Sequence, residues 1–310
     1  MMFMRYVVTG GAGFIGSNIV RLLVKNGHNV VIIDNLHSGK KENIIDVENK
    51  IEFFQDDILD FEKVEKICED VDGIFHQAAL TVVQESYEQR EKYNQVNVKG
   101  TENIFKIGKN YGVKIVFASS SSVYGDVKKI PITENFERVP INPYGQTKLD
   151  DEFLAEDYTE KGSKIIGLRY FNVFGIGQNL AYAGVLTKFL HNISKELPPQ
   201  IFGTGEQCRD FIHVEDVAQA NLDAMNSQVN KGFFNIGTGD KITISKLAKK
   251  ILEFSKLDLK EEYLDAIDGD INESQANIQS ATELLNWNPK NDLLKWLEYT
   301  ISQNSWKEIE

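Results

Sequence analysis

Three glycines close the first apolar run of the chain. In TGGAGFIGS, Gly10, Gly13 and Gly16 stand at a G-x-x-G-x-x-G spacing, after a predicted strand and at the start of a predicted helix. That context suits a dinucleotide pyrophosphate: glycines let backbone amides approach it, and the helix N-terminus supplies partial positive charge. Asp34 ends the next strand, about 20 residues on, where a carboxylate accepts bonds from a ribose 2′-hydroxyl. An acid there repels a 2′-phosphate, which favours NAD over NADP. Asp57, in QDDI, closes the third strand, where it either receives the adenine amino group or simply caps the strand end. The serine run ASSSSVYG, 118–125, follows the apolar KIVF, so its hydroxyls fall at the carboxyl end of a strand, where ligands bind in an open parallel sheet. In NPYGQTKLDDEF, Tyr144 and Lys148 are four residues apart behind Pro143. With Pro143 in the first helical position, the i, i+4 spacing stacks the two on one face. By itself that is an amphipathic helix with a chance tyrosine and a solvated lysine. Beside a nucleotide site, the serines become a donor set next to a reacting hydroxyl.

Several elements must hold these groups. RYVVTG, NVVIID, IEFFQD, DGIFHQ, KIVFAS and KIIGLRYF read as strands beginning near residues 5, 29, 51, 72, 114 and 164. Helical periods fill 14–26, 61–69, 86–110 and 143–161. That alternation predicts an α/β fold, a parallel sheet with helices on both faces. Beyond residue 172 the rhythm loosens into GVLTKFLHNISKEL, VEDVAQANLDAM, the strand-and-turn FFNIGTG, TISKLAKKILEFS and DLLKWLEYTISQ. No repeat or Pro/Ser-rich linker interrupts it, so a second lobe would pack tightly on the first.

The bulk properties narrow the partners. The 310 residues are 42% hydrophobic and 26% charged, with net charge −12. So acidic a surface repels nucleic acid and anionic membrane, so an anionic ligand must be held by local donors such as helix N-termini or single arginines. Cys68 and Cys208 have no metal spacing and read as free thiols in a reducing compartment. His28, His37, His191 and His213 show no metal spacing either, so no metal is expected. MMFMRYVVTGG reads as a first strand and not a signal peptide, and no segment offers the roughly 18 apolar residues of a membrane span. The expectation is a soluble cytoplasmic protein. Trp287 and Trp296 read as packing residues, and DLKEEYLDAIDGD as a solvated face.

The glycine motif, Asp34, FHQAA at 75–79, NVKGT at 97–101, ASSSSVYG, YGQTK at 144–148 and RYFNVFG at 169–175 together resemble the extended short-chain dehydrogenase/reductase family. The nearest branch is the nucleotide-sugar 4-epimerases, and the resemblance spans nearly the whole chain. It implies a Rossmann-type doubly wound domain binding NAD, residues 1–175 with roughly 210–235. A smaller C-terminal α/β domain, 176–209 and 236–310, would bind a UDP-sugar. It also implies a homodimer built on the 86–110 and 143–161 helices, although Phe153, Leu154 and Tyr158 could equally be internal core.

Residue roles follow from the same resemblance. Tyr144 would be the base that takes a proton from a sugar hydroxyl. A phenol titrates near pH 10, so a phenolate at neutral pH needs about 4 kcal/mol of preferential stabilisation, which Lys148 and an oxidised nicotinamide could supply as nearby positive charge. Lys148 would also hold the nicotinamide ribose. Ser120 aligns best with the catalytic hydroxyl, with Ser121 and Ser122 as alternatives. NAD would further touch Phe14, Ile15, Asn35, Ser38 and Gly39. Ile58, Gln77, Ala78, Ala79, Asn97 and Tyr170 would complete its site. The sugar nucleotide would meet Asn172, Val185, Gln207 and the phosphate-binding Arg209, unless Arg209 pairs with an acid such as Asp210. Related dehydratases and decarboxylases carry an acid where this chain has Ser122. Asn172 matches epimerases of neutral hexoses and N-acetylhexosamines, where uronate epimerases tend to have threonine. A second diphosphate arginine is replaced by Ile267, for which Lys188 is a candidate substitute. Ser274 stands where a large aromatic closes the sugar pocket of strict glucose/galactose epimerases, which leaves room for an N-acetyl group. The leading expectation is a C4 epimerase of UDP-hexoses or UDP-N-acetylhexosamines. The alternatives are a UDP-glucuronate 4-epimerase, a net keto-sugar oxidoreductase, or a non-catalytic NAD or sugar sensor.

Overall fold

The computed structural model describes residues 3–178, 180, 184–266 and 271–303. Its frame is a parallel sheet of β1 (Arg5–Thr9), β2 (Asn29–Ile33), β3 (Ile51–Phe54), β4 (Gly73–His76), β5 (Lys114–Ser120), β6 (Lys164–Tyr170) and β7 (Lys231–Ile236), ordered β7-β6-β5-β4-β1-β2-β3. Runs such as YVVT and NVVII suit this place because β-branched side chains pack on both faces of a doubly covered sheet. Val7 of β1 is flanked by Val31 of β2 and Ile74 of β4, and all three are fully buried.

Helices cover both faces. On one, α1 (Phe14–Lys25) packs beside α4 (Val214–Asn226) over Tyr6, Val8, Ile32 and Phe75. On the other, α2 (Gly100–Tyr111) and α3 (Pro143–Glu160) pack over Val7, Val31, Ile74 and Phe117. The chain reverses its direction of strand addition between β1 and β4. That switch point opens a crevice beyond the carboxyl ends of the strands.

Two features depart from the sequence reading. The expected 86–110 helix is broken: short helices Val83–Glu88 and Arg90–Tyr93 lead into a π-helical turn, Asn94–Lys99, before α2. The turn carries Asn97, whose amide holds both the N–H and the carbonyl of Leu80, and π-turns of this kind gather at functional sites. The acidic DLKEEYLDAIDGD stretch is not wholly a solvated face, because Glu262–Leu264 pairs in parallel with Gln200–Phe202. Trp287 packs as the sequence implies, in the core of the large sheet together with Ala281 and Leu285, and its indole donates to the Asp216 carbonyl at 3.0 Å.

A separate apolar cluster joins Phe174, Leu186, Phe189, Ile201, Phe211, Leu247 and Leu297, with Trp296 against its edge. It lies in the later part of the chain, outside the sheet.

Candidate active site

One cavity of about 1310 Å³ occupies the crevice. Drug-sized ligands fill roughly 300–1,000 Å³, so this space suits a dinucleotide and a second ligand together.

The glycine turn forms its floor. Gly10 has φ +67°, and a Cβ there would lie 2.8 Å from the Ala78 backbone nitrogen. A side chain on Gly16 would collide with the Gly10 carbonyl. Only hydrogen atoms fit at these two points, so β1, α1 and the segment after β4 meet closely. The N-terminus of α1 has no side-chain cap, so its first amides remain donors facing the cavity, which Phe14, Ile15 and Gly16 line.

Asp34 Oδ2 accepts from the Ala12 N–H at 2.9 Å and Oδ1 from Leu36 N–H at 2.8 Å. Burial raises its pKa above the usual carboxylate value, and those two backbone donors oppose the rise. Gly39 lies against the same carboxylate, where a Cβ would come within 2.9 Å of Oδ2. Asp57 is held similarly, by Leu59 N–H and by the Asn35 side chain, each at 2.9 Å. Both acids therefore shape their loops while lining the cavity with Asn35, Ser38 and Ile58. A cradle that excludes any Cβ, helix amides without a cap and an acid ending β2 together fit NAD.

At the other end, α3 begins as the sequence implies. The Asn142 side chain accepts from Gly145 N–H at 2.7 Å and Pro143 starts the helix. Tyr144 and Lys148 both face the cavity, together with Ser120. The Tyr144 N–H donates to Ser86 Oγ at 3.1 Å. Lys148 is almost wholly buried, and its ammonium lies 3.1 Å from Asp151 Oδ2. The serines separate: Ser120 lines the cavity, whereas Ser121 and Ser122 do not. Ser120 Oγ accepts from Ser122 N–H at 3.1 Å and donates to Ser122 Oγ at 3.0 Å, which fixes its direction.

Ser119, absent from the sequence-based set, also lines the cavity and donates to Glu152 at 2.6 Å. Glu152 in turn receives Arg169 through two bonds, at 2.8 and 2.7 Å. The other tyrosine of the region, Tyr124, is buried, donates to Asn235 at 2.7 Å and has its phenol pushed up to about 12 by burial. It has no access to the cavity.

Gln77, Ala78, Ala79 and Tyr170 close the cavity wall. Asn221 donates to the Tyr170 hydroxyl at 2.8 Å, and that hydroxyl donates to Gln77 at 3.1 Å. Asn97 is fully buried behind this wall; besides Leu80 it reaches Thr147, beside Lys148, at 3.0 Å. It positions the wall without facing the ligand space. Leu80, Thr81, Lys92 and Gln95 also line the cavity, although motif reading missed them.

Towards the later part of the chain, Asn172 and Val185 line the cavity, and Asn172 donates to the Asp210 carbonyl at 3.2 Å. Lys188, Gln207, Arg209 and Ser274 do not line it. Lys188 is exposed, the Gln207 amide donates to Phe202 O at 2.8 Å and Arg209 donates to Cys208 O at 2.8 Å. Asp210 is a buried hub: its carboxylate accepts from Thr238, Gly239 and Ala276 N–H at 2.8 to 3.0 Å. It thereby ties the strand carrying Arg209 to the segment carrying Ser274. Ile267 lies outside the described residues. Among the described residues no group of three or more His, Cys, Asp or Glu could hold a metal, and no helix is long and apolar enough to cross a membrane.

A sheet with this switch point, a glycine cradle at its centre and a Tyr/Lys helix at the cavity's far end define an NAD-using enzyme. Residues 6–237 match the model of the NAD dependent epimerase/dehydratase family, and the chain belongs to that family. A curated relative, the UDP-glucose 4-epimerase of Lactobacillus helveticus, is 33% identical, with 93% of each chain covered. Among solved structures, the UDP-N-acetylglucosamine 4-epimerase of Methanobrevibacter ruminantium, in complex with UDP-N-acetylmuramic acid, is 38% identical with a TM-score of 0.93; 98% of this chain and 99% of that one are covered. The Thermus thermophilus UDP-glucose 4-epimerase in complex with NAD is 31% identical with a TM-score of 0.89, covering 99% and 100%.

Proposed function

We propose that this chain inverts C4 of a UDP-N-acetylhexosamine, and of the corresponding UDP-hexose, through a transient 4-keto sugar. The reading is carried by one observation: Tyr144, Lys148 and Ser120 line the same cavity as the Gly10–Gly16 cradle. NAD, when bound, supplies the acceptor and then the donor of the C4 hydride. Asp34 and the α1 amides would hold its adenosine and pyrophosphate portions. Tyr144 takes the proton of the sugar 4-hydroxyl and returns it after the ketone has turned, while the Lys148 ammonium favours the phenolate. Ser120, held at the cavity by Ser122 N–H, turns its hydroxyl proton from Ser122 to the reacting oxygen when the sugar binds. With serine at position 122 no acid stands by for a second proton transfer, so the reaction ends as epimerisation.

The N-acetylated series is favoured by the UDP-N-acetylmuramic acid held in the Methanobrevibacter structure; Ser274 is small, but it is buried away from the cavity on the segment tied to Arg209 through Asp210. Arg209 would take the diphosphate. We assign the sheet and its helices to cofactor binding and the second apolar cluster to the sugar-nucleotide side. A homodimer through α3 and the 83–111 helices agrees with Phe153, half exposed on α3.

Purified protein incubated with UDP-GlcNAc, UDP-glucose or UDP-glucuronate, without added cofactor, tests this by sugar analysis. The 4-epimer of UDP-GlcNAc is expected, and Tyr144→Phe abolishes it. Absence of any 4-epimer, or full activity in Tyr144→Phe, overturns the reading.

A further inference from the structure

Behind Lys148 lies a line of buried polar groups that the reaction above does not use. Tyr144, Lys148 and Asp151 are spaced i, i+4, i+7, so they share one stripe of α3. Asp151 is fully buried, with Oδ2 at 3.1 Å from the Lys148 ammonium and Oδ1 without a hydrogen-bond partner. Thr101 of α2 stands close enough to favour the ionised form of Asp151. Its hydroxyl meets His76 Nε2 at 2.9 Å, and His76 Nδ1 meets Thr9 Oγ1 at 2.7 Å.

The direction of this chain follows from its far end. Thr9 Oγ1 accepts from the N–H groups of Gln77 and Ala78 at 3.2 and 3.3 Å. Its own proton must therefore go to His76 Nδ1. His76 then carries its proton on Nε2 and donates to Thr101, which leaves the Thr101 hydroxyl proton to point towards Asp151. His76 stays neutral, its pKa pushed down to about 3 by burial and by the Lys148 charge. A directed row of donors thus runs from the cofactor wall, at Gln77 and Ala78, to a carboxylate behind the proposed catalytic lysine. A buried charge is retained only where it is paired, and here the pair is Lys148.

We propose that Asp151 is a positioning residue that fixes the Lys148 ammonium and sets how much of its positive charge reaches Tyr144. The inference rests on the roles given to Tyr144 and Lys148 above. When Asp151 is ionised it cancels part of the ammonium's field on the phenol; when neutral it does not. Among the described residues, the groups acting on Asp151 are Lys148 and Asp150 on its own helix, Thr101 from α2, and His76 of β4 through Thr101. Burial raises the Asp151 carboxyl to about 7, with Lys148 and Thr101 opposing, so it exchanges its proton in the range where a phenolate base must form.

The test reads phenolate absorbance against pH in the NAD-bound protein, as a difference between each form and its Tyr144→Phe counterpart. The parent is expected to give a broad curve. Asp151→Asn keeps the shape and an acceptor for Lys148, and its curve should sharpen, with a midpoint lower by about one pH unit. A midpoint that is unchanged or higher overturns the proposal. If Asp151→Asn fails to retain NAD, Thr101→Val serves instead: without its donor Asp151 holds its proton more firmly, so the midpoint should move the same way by less. A parent-like midpoint again overturns it. The titration needs no turnover, so failure of the epimerase reading shows separately, as missing product in the sugar assay.

Discussion

Replacing Glu152 by glutamine should unsettle both the fold and the floor of the site. The Glu152 carboxylate is wholly buried and Arg169 nearly so. It accepts two bonds from Arg169, one from Arg138 at 3.1 Å and one from Ser119 at 2.6 Å. Glutamine keeps the volume, removes the charge and turns one acceptor into a donor facing those donors. Breaking one side of a buried pair leaves an uncompensated charge, here the Arg169 guanidinium, at about 3–5 kcal/mol. Spread over the unfolding entropy of a chain this size, 4 kcal/mol is about 6 °C of melting temperature. Thermal unfolding followed by circular dichroism, at equal NAD, measures it. Ser119→Ala, which removes only one bond to the carboxylate, should lose about 1.5–3 kcal/mol. If Glu152→Gln melts within 1 °C of the parent, the guanidinium has found solvent or another acceptor and the argument fails.

Two further outcomes follow from other sites. Gly10→Ala places a methyl group 2.8 Å from the Ala78 backbone in a left-handed conformation, so the purified variant should carry little or no NAD by absorbance and melt about 2–3 kcal/mol less stably. In the pH dependence of stability, His76 and Asp151 oppose each other. The folded His76 pKa, about 3, lies below the ordinary imidazole value of 6.5, so its stabilisation is present above 6.5 and is lost as pH falls towards 3. The folded Asp151 pKa, about 7, lies above 3.8, so its contribution is present at low pH and is lost as pH rises towards 7. Between pH 4.5 and 6 the two slopes largely cancel. Asp151→Asn removes one, so in denaturant unfolding the variant's stability relative to the parent's should rise by about 1.4 kcal/mol per pH unit over that range, and parallel profiles would refute the assignment.

What the sequence alone determined was whatever is local and periodic. The β-branched runs specified strands, Gly10 and Gly16 specified a turn that tolerates no side chain, and Pro143 with Asn142 specified where the Tyr144–Lys148 helix begins. Each rests on backbone geometry within a few residues, so pattern reading reached them, and with them the sheet and the cofactor cradle. The tertiary structure decided what depends on partners distant in the chain. The π-helical turn at Asn94–Lys99 carries Asn97, which is bound to Leu80, 17 residues away, and helical periodicity carries no trace of that bond. Ser120 and not Ser122 faces the cavity because of how β5 ends. Asp151 carries no mark in the run LDDE, and only the packing of the assembled chain around α3 makes it a buried counter-charge. Burial, which sets the strength of a charge, is a property of the assembled chain and not of any segment within it.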